Sequence, residues 1–116
     1  MNIDDLLTEL AESEPRLWFI QRSEIEQTDK AIRLRLFINE ALFVQVFLSV
    51  ITGRFSLALI QSRERLYGRD REGGAWHLHP FEAPKSHRPT PEGISHRPLV
   101  QFLAEVEELL IENDLV

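Results

Sequence analysis

Between Ala31 and Gln61 apolar and polar residues alternate with a period of two. In AIRLRLFIN, Ile32, Leu34, Leu36 and Ile38 fall on one side, and Arg33, Arg35 and Phe37 on the other. In LFVQVFLSVIT, Leu42, Val44, Val46, Leu48 and Val50 form one face and Phe43, Gln45, Phe47, Ser49 and Ile51 a mixed opposite face. Gly53 breaks that run, and RFSLALIQS follows. Upstream, LWFIQRSEIE also reads as a strand, with Trp18 in the core. QTDK and Asn39-Glu40 read as turns. Period-two patterning, β-branched and aromatic enrichment and short connections predict a meander of antiparallel strands. Arg63, Arg65 and Tyr67 carry the alternation onward, with Gly68 as a candidate bulge. DREGG (Asp70 to Gly74) has hairpin composition, and Ala75 to His79 is the returning strand. Pro80, Pro84, Pro89 and Pro91 then argue against regular structure until the mid-nineties.

At both ends the period changes to that of a helix. Ile3, Leu6, Leu7 and Leu10 follow the turn formers Asn2 and Asp4, and Pro15 stops the pattern, which predicts a short helix over about residues 3–12. Near the other end, Ser95 or His96 precedes a helix with Pro98 in its first turn. Leu99, Phe102, Leu103, Val106, Leu109 and Leu110 form its buried stripe, with Glu105, Glu107, Glu108 and Glu112 toward water. The expected fold is therefore α+β: an antiparallel meander sheet of about five to six strands, packed by a short N-terminal helix and a longer C-terminal helix, in a single domain over residues 1–116. The uncovered sheet face would carry Arg33, Arg35, Gln45, Ser49 and Arg63.

Composition narrows the class. With 43% hydrophobic and 28% charged residues the chain is that of a globular domain, and 116 residues suffice for a real core. No cysteine is present, which excludes disulfides and thiolate metal sites and fits a cytoplasmic setting. No apolar run approaches the roughly 18 residues of a membrane span, and the acidic start lacks the basic region of a signal peptide. The net charge of −6 is uneven: residues 1–14 and 98–116 each carry five acids and no base, whereas residues 15–97 carry all thirteen bases against nine acids. That distribution argues against a dedicated nucleic-acid coat but leaves room for a local anion-binding face. Solvated acidic helices beside a neutral sheet fit the same counts.

Candidate chemistry concentrates between Arg63 and Arg97, which holds all four histidines and seven of the thirteen basic residues. His77 and His79 share one strand face roughly 6–7 Å apart. They suit an acid–base pair or, with His87 or His96, a metal. Histidines hydrogen-bonding loop backbone are the plainer alternative. Asp70 is either a turn former or a carboxylate that orients a histidine. Arg63, Arg65, Arg69 and Arg71 alternate, which predicts a row of guanidiniums on one face with Tyr67. Arginine holds phosphate and stabilises developing charge, histidine or tyrosine moves protons, and Trp76 can stack a base. The competing reading is a solvated strand with Glu64, Asp70 and Glu72 as partners, whose charge blocks aggregation. Phe81 reads as a loop anchor. There is no P-loop, dinucleotide fingerprint, HExxH or GxSxG, and no cofactor is expected.

The succession of a basic-aromatic strand, Asp70, the segment WHLHPF, Pro84, Ser86-His87 and a final amphipathic helix resembles the TumE-type toxins of prokaryotic toxin–antitoxin pairs. The resemblance spans residues 31–113 and is sharpest from Tyr67 to His87, where Asp70, His77, His79 and His87 match. Arg71 stands where an amide is more usual, and the histidines are spaced HxH instead of adjacent. The resemblance implies a cytoplasmic toxin paired with a helix-turn-helix antitoxin, acting as a ribonuclease or on translation. From the residues, RNA binding with metal-independent cleavage is expected: Arg65 and Arg69 on phosphate, His77 or His79 as acid or base, Asp70 orienting, with Arg63, Trp76 and His87 assisting binding. A non-catalytic protein–protein interaction domain, forming a homodimer through the open sheet face, and a metal-dependent hydrolase are the alternatives.

Overall fold

Alternation of apolar residues is satisfied when one sheet face is covered and the other is not, and that is the arrangement found. The computed structural model describes residues 1–116. Helix α1 (Ile3–Ser13) leads through a 3-10 turn (Glu14–Arg16) into seven strands: β1 (Arg22–Gln27), β2 (Ala31–Phe37), β3 (Leu42–Ser49), β4 (Phe55–Gln61), β5 (Glu64–Glu72), β6 (Ala75–His79) and β7 (Arg88–Pro89). Helix α2 (Pro98–Glu112) follows. The strands pair antiparallel in sequence order, giving a seven-stranded meander instead of five or six. The extra strand is β7, two residues long, formed where the prolines argue against regular structure. Proline is tolerated there because β7 is an edge strand. Pro89 faces His77, and the ladder bond is made by Thr90, whose N–H donates to the Trp76 carbonyl.

Both helices lie on the same face of the sheet. Ile3 and Leu6 of α1 and Leu99, Phe102, Leu103, Val106 and Leu110 of α2 pack on the alternating residues of β2–β4, together with Phe55 and Tyr67. Asn2 caps α1: its side chain accepts from the Asp5 N–H at 2.7 Å, and its own N–H donates back to Asp5 at 3.3 Å. Helix α2 has no side-chain cap from its own N-terminal residues. Instead Glu9 of α1, itself buried, accepts from the N–H groups of Leu99 (3.0 Å) and Val100 (3.2 Å). A carboxylate at these unpaired donors and the positive end of the helix dipole ties the two helices together. Burial outweighs those two hydrogen bonds and pushes the Glu9 carboxyl above its usual range.

Four expectations are corrected. Residues 17–21 form turns and β1 starts only at Arg22. Trp18 is not in the core: it is 60% exposed and donates its indole N–H to Glu107. Glu105 does not face water, because its carboxylate is drawn onto Tyr67 and Arg69 of β5. Ser49 keeps the open-face register but is buried, its hydroxyl accepting from the Thr52 N–H at 3.2 Å.

Candidate functional site

Strand register decides which side chains share the open face. Residues opposite one another in neighbouring strands point the same way. One row across the sheet runs Arg33, Phe47, Ser56, Asp70, His77. The next runs Arg35, Gln45, Ala58, Gly68, His79, and a third runs Phe37, Phe43, Ile60, Arg65. Asp70 and both HxH histidines are thus brought together as expected.

The row of four arginines is not formed. Tyr67 pairs with Leu59 but Arg65 pairs with Ile60, leaving Leu66 unpaired in a bulge. One extra residue flips the alternation. Arg65 therefore lies on the open face, while Tyr67, Arg69 and Arg71 lie under the helices. The bulge falls two residues before Gly68, where it was expected. Gly68 has a different use: a Cβ there would meet Arg65 Cδ and the Leu57 carbonyl, each at 3.1 Å. Its bare backbone lets the Arg65 side chain lie across the strand, with Nη1 4.0 Å from Asp70 Oδ2.

Under the helices, Glu105 Oε1 accepts from Tyr67 Oη at 2.8 Å and from Arg69 Nε at 2.8 Å, while Oε2 accepts from Arg69 Nη2 at 2.9 Å and Gln101 at 2.9 Å. Burial alone would raise the Glu105 carboxyl, but Arg69, Gln101 and Tyr67 together hold it below its usual range. Burial and the neighbouring Glu105 carboxylate push the Tyr67 phenol up to about 12. Its ring stacks on Phe102, with centroids 5.6 Å apart. Trp76 packs against Phe55 on this same side, and Arg71 and His96 line a separate cavity with it. Tyr67, Arg69, Trp76 and His96 are therefore remote from the histidine pair.

On the open face the cluster is ordered from its floor upward. His79 is 2% exposed, with Nε2 3.0 Å from Asp70 Oδ2 and Nδ1 3.2 Å from the Pro84 carbonyl. Both ring nitrogens are therefore taken up by protein oxygens. His79 then has no nitrogen left for a ligand and fixes Asp70 and the Pro84 loop in place. His77 Nδ1 lies 3.7 Å from Asp70 Oδ1, beyond a direct hydrogen bond, and its ring is part-exposed. His87 arrives from the turns after β6. Ala83 N–H donates to the Pro80 carbonyl and Ser86 N–H to the Ala83 carbonyl, which folds the segment back. The His87 ring sits 4.3 Å from that of His79 and 5.6 Å from that of His77, centroid to centroid. Its place beside the pair was expected, whereas the turns that bring it there were not readable in the proline segment. No three histidine, aspartate or glutamate side chains converge as a metal-ligand set.

Beside the cluster runs an open groove of about 630 Å³. Ser56 and Ala58 line it, together with His79 and His87, and Arg54, Arg63, Arg65 and Lys85 supply four cations against one acid, Glu64. Arg63 reaches it from the β4–β5 turn, where Ser62 (φ 49°) and Arg63 (φ 71°) both adopt left-handed backbone. Arg54 and Lys85 are contributors that sequence reasoning missed. Both look like ordinary surface cations, and only the sheet and the loop bring them together. Comparison with protein-family models, curated proteins and solved structures finds no match for this chain.

Proposed function

We propose that this protein binds RNA in the cationic groove and cleaves it with His77 and His87 as the proton-transfer pair. One observation carries the reading: two histidines with free ring nitrogens stand 5.6 Å apart beside a groove edged by four cations. The cations would hold a phosphodiester and stabilise the charge that builds on it. One imidazole takes the proton of the ribose 2′-hydroxyl as its oxygen attacks phosphorus. The other protonates the 5′-oxygen as the P–O5′ bond breaks, leaving a 2′,3′-cyclic phosphate and a 5′-hydroxyl. His79, locked between Asp70 and Pro84, is a positioning residue. Gathering Asp70, His77, His79 and His87 in one cluster supports the toxin reading, because those residues carry the resemblance to the TumE-type toxins. On that reading the protein acts in the cytoplasm and is restrained by a helix-turn-helix antitoxin. No helix is long and apolar enough to cross a membrane.

The test is induced expression of the wild type against His77→Ala/His87→Ala, with growth and RNA termini followed. Arrest and new cyclic-phosphate ends from the wild type alone are expected. Equal growth with intact RNA in both would overturn the catalytic reading.

A non-catalytic interaction domain has one observation in its favour. Strand β1 is a free sheet edge, and beside it Leu10, Leu17, Ile20 and the half-exposed Ile25, with Glu14 and Arg22, line a groove of about 530 Å³. A solution mass of twice the chain, lost with Ile25→Lys, would identify a homodimer through this edge.

A further inference from the structure

The uncovered sheet face extends well beyond the histidine cluster. We propose that it is a track for a single strand of RNA, with bases stacked on Phe43 and Phe47 and the backbone led over Arg35 into the cationic groove. The proposal rests on the RNA reading above and specifies its substrate class as unpaired RNA.

Three observations point there. First, Phe43 and Phe47 lie on the uncovered face, at positions where β3 turns every other aromatic or aliphatic side chain into the core. They stand four residues apart on one strand, about 13 Å at roughly 3.3 Å per residue. Gln45 lies between them, anchored by Arg35 Nε at 3.0 Å. Aromatic rings on the open face of an antiparallel sheet offer stacking platforms for unpaired bases, whose faces a duplex hides.

Second, the open face carries cations without partners. Glu24 and Glu26 of β1 stand opposite Arg35 and Arg33 at its edge, and Glu26 pairs with Arg33 at 3.7 Å. Arg35, Arg54, Arg63 and Lys85 form no ion pair with any carboxylate, and Arg65 pairs with Asp70 at 4.0 Å. Unpaired cations on one face of a chain with net charge −6 are complementary to a polyanion.

Third, the rows of the sheet join the platforms to the proposed chemistry. Phe47 leads through Ser56 to Asp70 and His77, and Gln45 leads through Ala58 and Gly68 to His79. Ser56 and Ala58 leave a trough between the aromatic half and the histidine half, and Arg65, lying over Gly68, edges it, so a strand stacked on Phe47 would pass that guanidinium on its way to His79 and His87.

The test uses the full chain carrying His77→Ala/His87→Ala, so that bound RNA stays intact, with a short fluorescein-labelled oligouridine and its duplex with oligoadenosine as probes. The single strand binds more tightly than the duplex. Phe43→Leu and Phe47→Leu each weaken it by about 5- to 100-fold at unchanged circular dichroism, and Phe47→Trp restores it. Arg35→Gln lowers the slope of log affinity against log salt by about one. Equal binding of duplex and single strand, or leucine variants that bind like their parent, overturns the track even where the wild type still cuts RNA. Phenylalanine-dependent binding by a chain whose wild type cuts no RNA overturns the catalytic reading and leaves the track standing. No RNA bound by any form, the wild type included, overturns both.

Discussion

The guanidinium of Arg69 grips the carboxylate of Glu105 through two parallel hydrogen bonds, Nε to Oε1 at 2.8 Å and Nη2 to Oε2 at 2.9 Å. This fork joins β5 to α2 on the side of the sheet away from the histidines. Arg69→Met leaves the Glu105 charge poorly compensated under the helix and is expected to cost about 2–4 kcal/mol in urea unfolding. RNA binding by the fraction that stays folded should be unchanged. A selective loss of RNA binding at full stability would instead return Arg69 to the site.

Two buried carboxylates give opposite pH signatures. Glu105 is held below its usual value of 4.5 in the folded protein, so its stabilisation is present above that pH and is lost as pH falls through the folded value. Glu9 is raised above 4.5, so its contribution is fullest below that pH and is lost as pH rises through the folded value. Glu105→Gln should therefore destabilise near neutral pH and converge on the wild type on acidification. Glu9→Gln should gain on the wild type as pH rises from below 4.5 through the folded value. Denaturant midpoints of the three proteins, followed from acid well below pH 4.5 up to neutral pH, check both signs.

Asp70 is the acceptor that holds His79 and lies nearest His77. Asp70→Asn removes the carboxylate charge and leaves His79 Nε2 facing a neutral amide, which can keep the contact only through its single oxygen. A loss of about 1–3 kcal/mol is expected. A weaker Pro84 loop should show as faster amide exchange at Lys85 and Ser86. RNA cleavage should fall with it, because His87 is carried by that loop. Unchanged exchange with lost cleavage would place Asp70 in the chemistry itself and not behind it.

The β4–β5 turn stores strain beside the groove. Ser62 and Arg63 occupy backbone that favours asparagine and glycine. Replacing the pair by Asn-Gly should raise stability by about 0.5–1 kcal/mol and weaken RNA binding through loss of the Arg63 cation. Thermal melting and oligouridine binding, measured on one preparation, should move in opposite directions.

The sheet core was readable because β2 and β3 keep strict alternation: Ile32, Leu34, Leu36, Leu42, Val44, Val46 and Leu48 are all buried as the pattern requires. The pairing of His77 with His79 on one face was readable for the same reason. The fate of the arginines was not. RERLYGRDR alternates without a break, and nothing in its composition marks Leu66 as unpaired. A bulge arises from how two strands meet, which one strand's pattern does not record. Glu105 was misread because helical spacing gives a residue's face but not whether an arginine waits there. Trp18 was placed inside because LWFIQRSEIE read as a strand, whereas the chain after Pro15 turns before β1 begins.

The hydrogen bonds from Leu99 and Val100 to Glu9 have a consequence for how the chain assembles. During synthesis the first helix emerges long before the donors it serves, and 90 residues separate Glu9 from Leu99. Until α2 leaves the ribosome, α1 has no partner helix to cap, and the part of the sheet face that Leu99, Phe102, Leu103, Val106 and Leu110 cover has no lid. Closure of the domain is thus a late, single event that awaits the last helix. A chaperone or partner that meets the nascent chain finds a strand-rich intermediate with its core uncovered, not a half-built native domain.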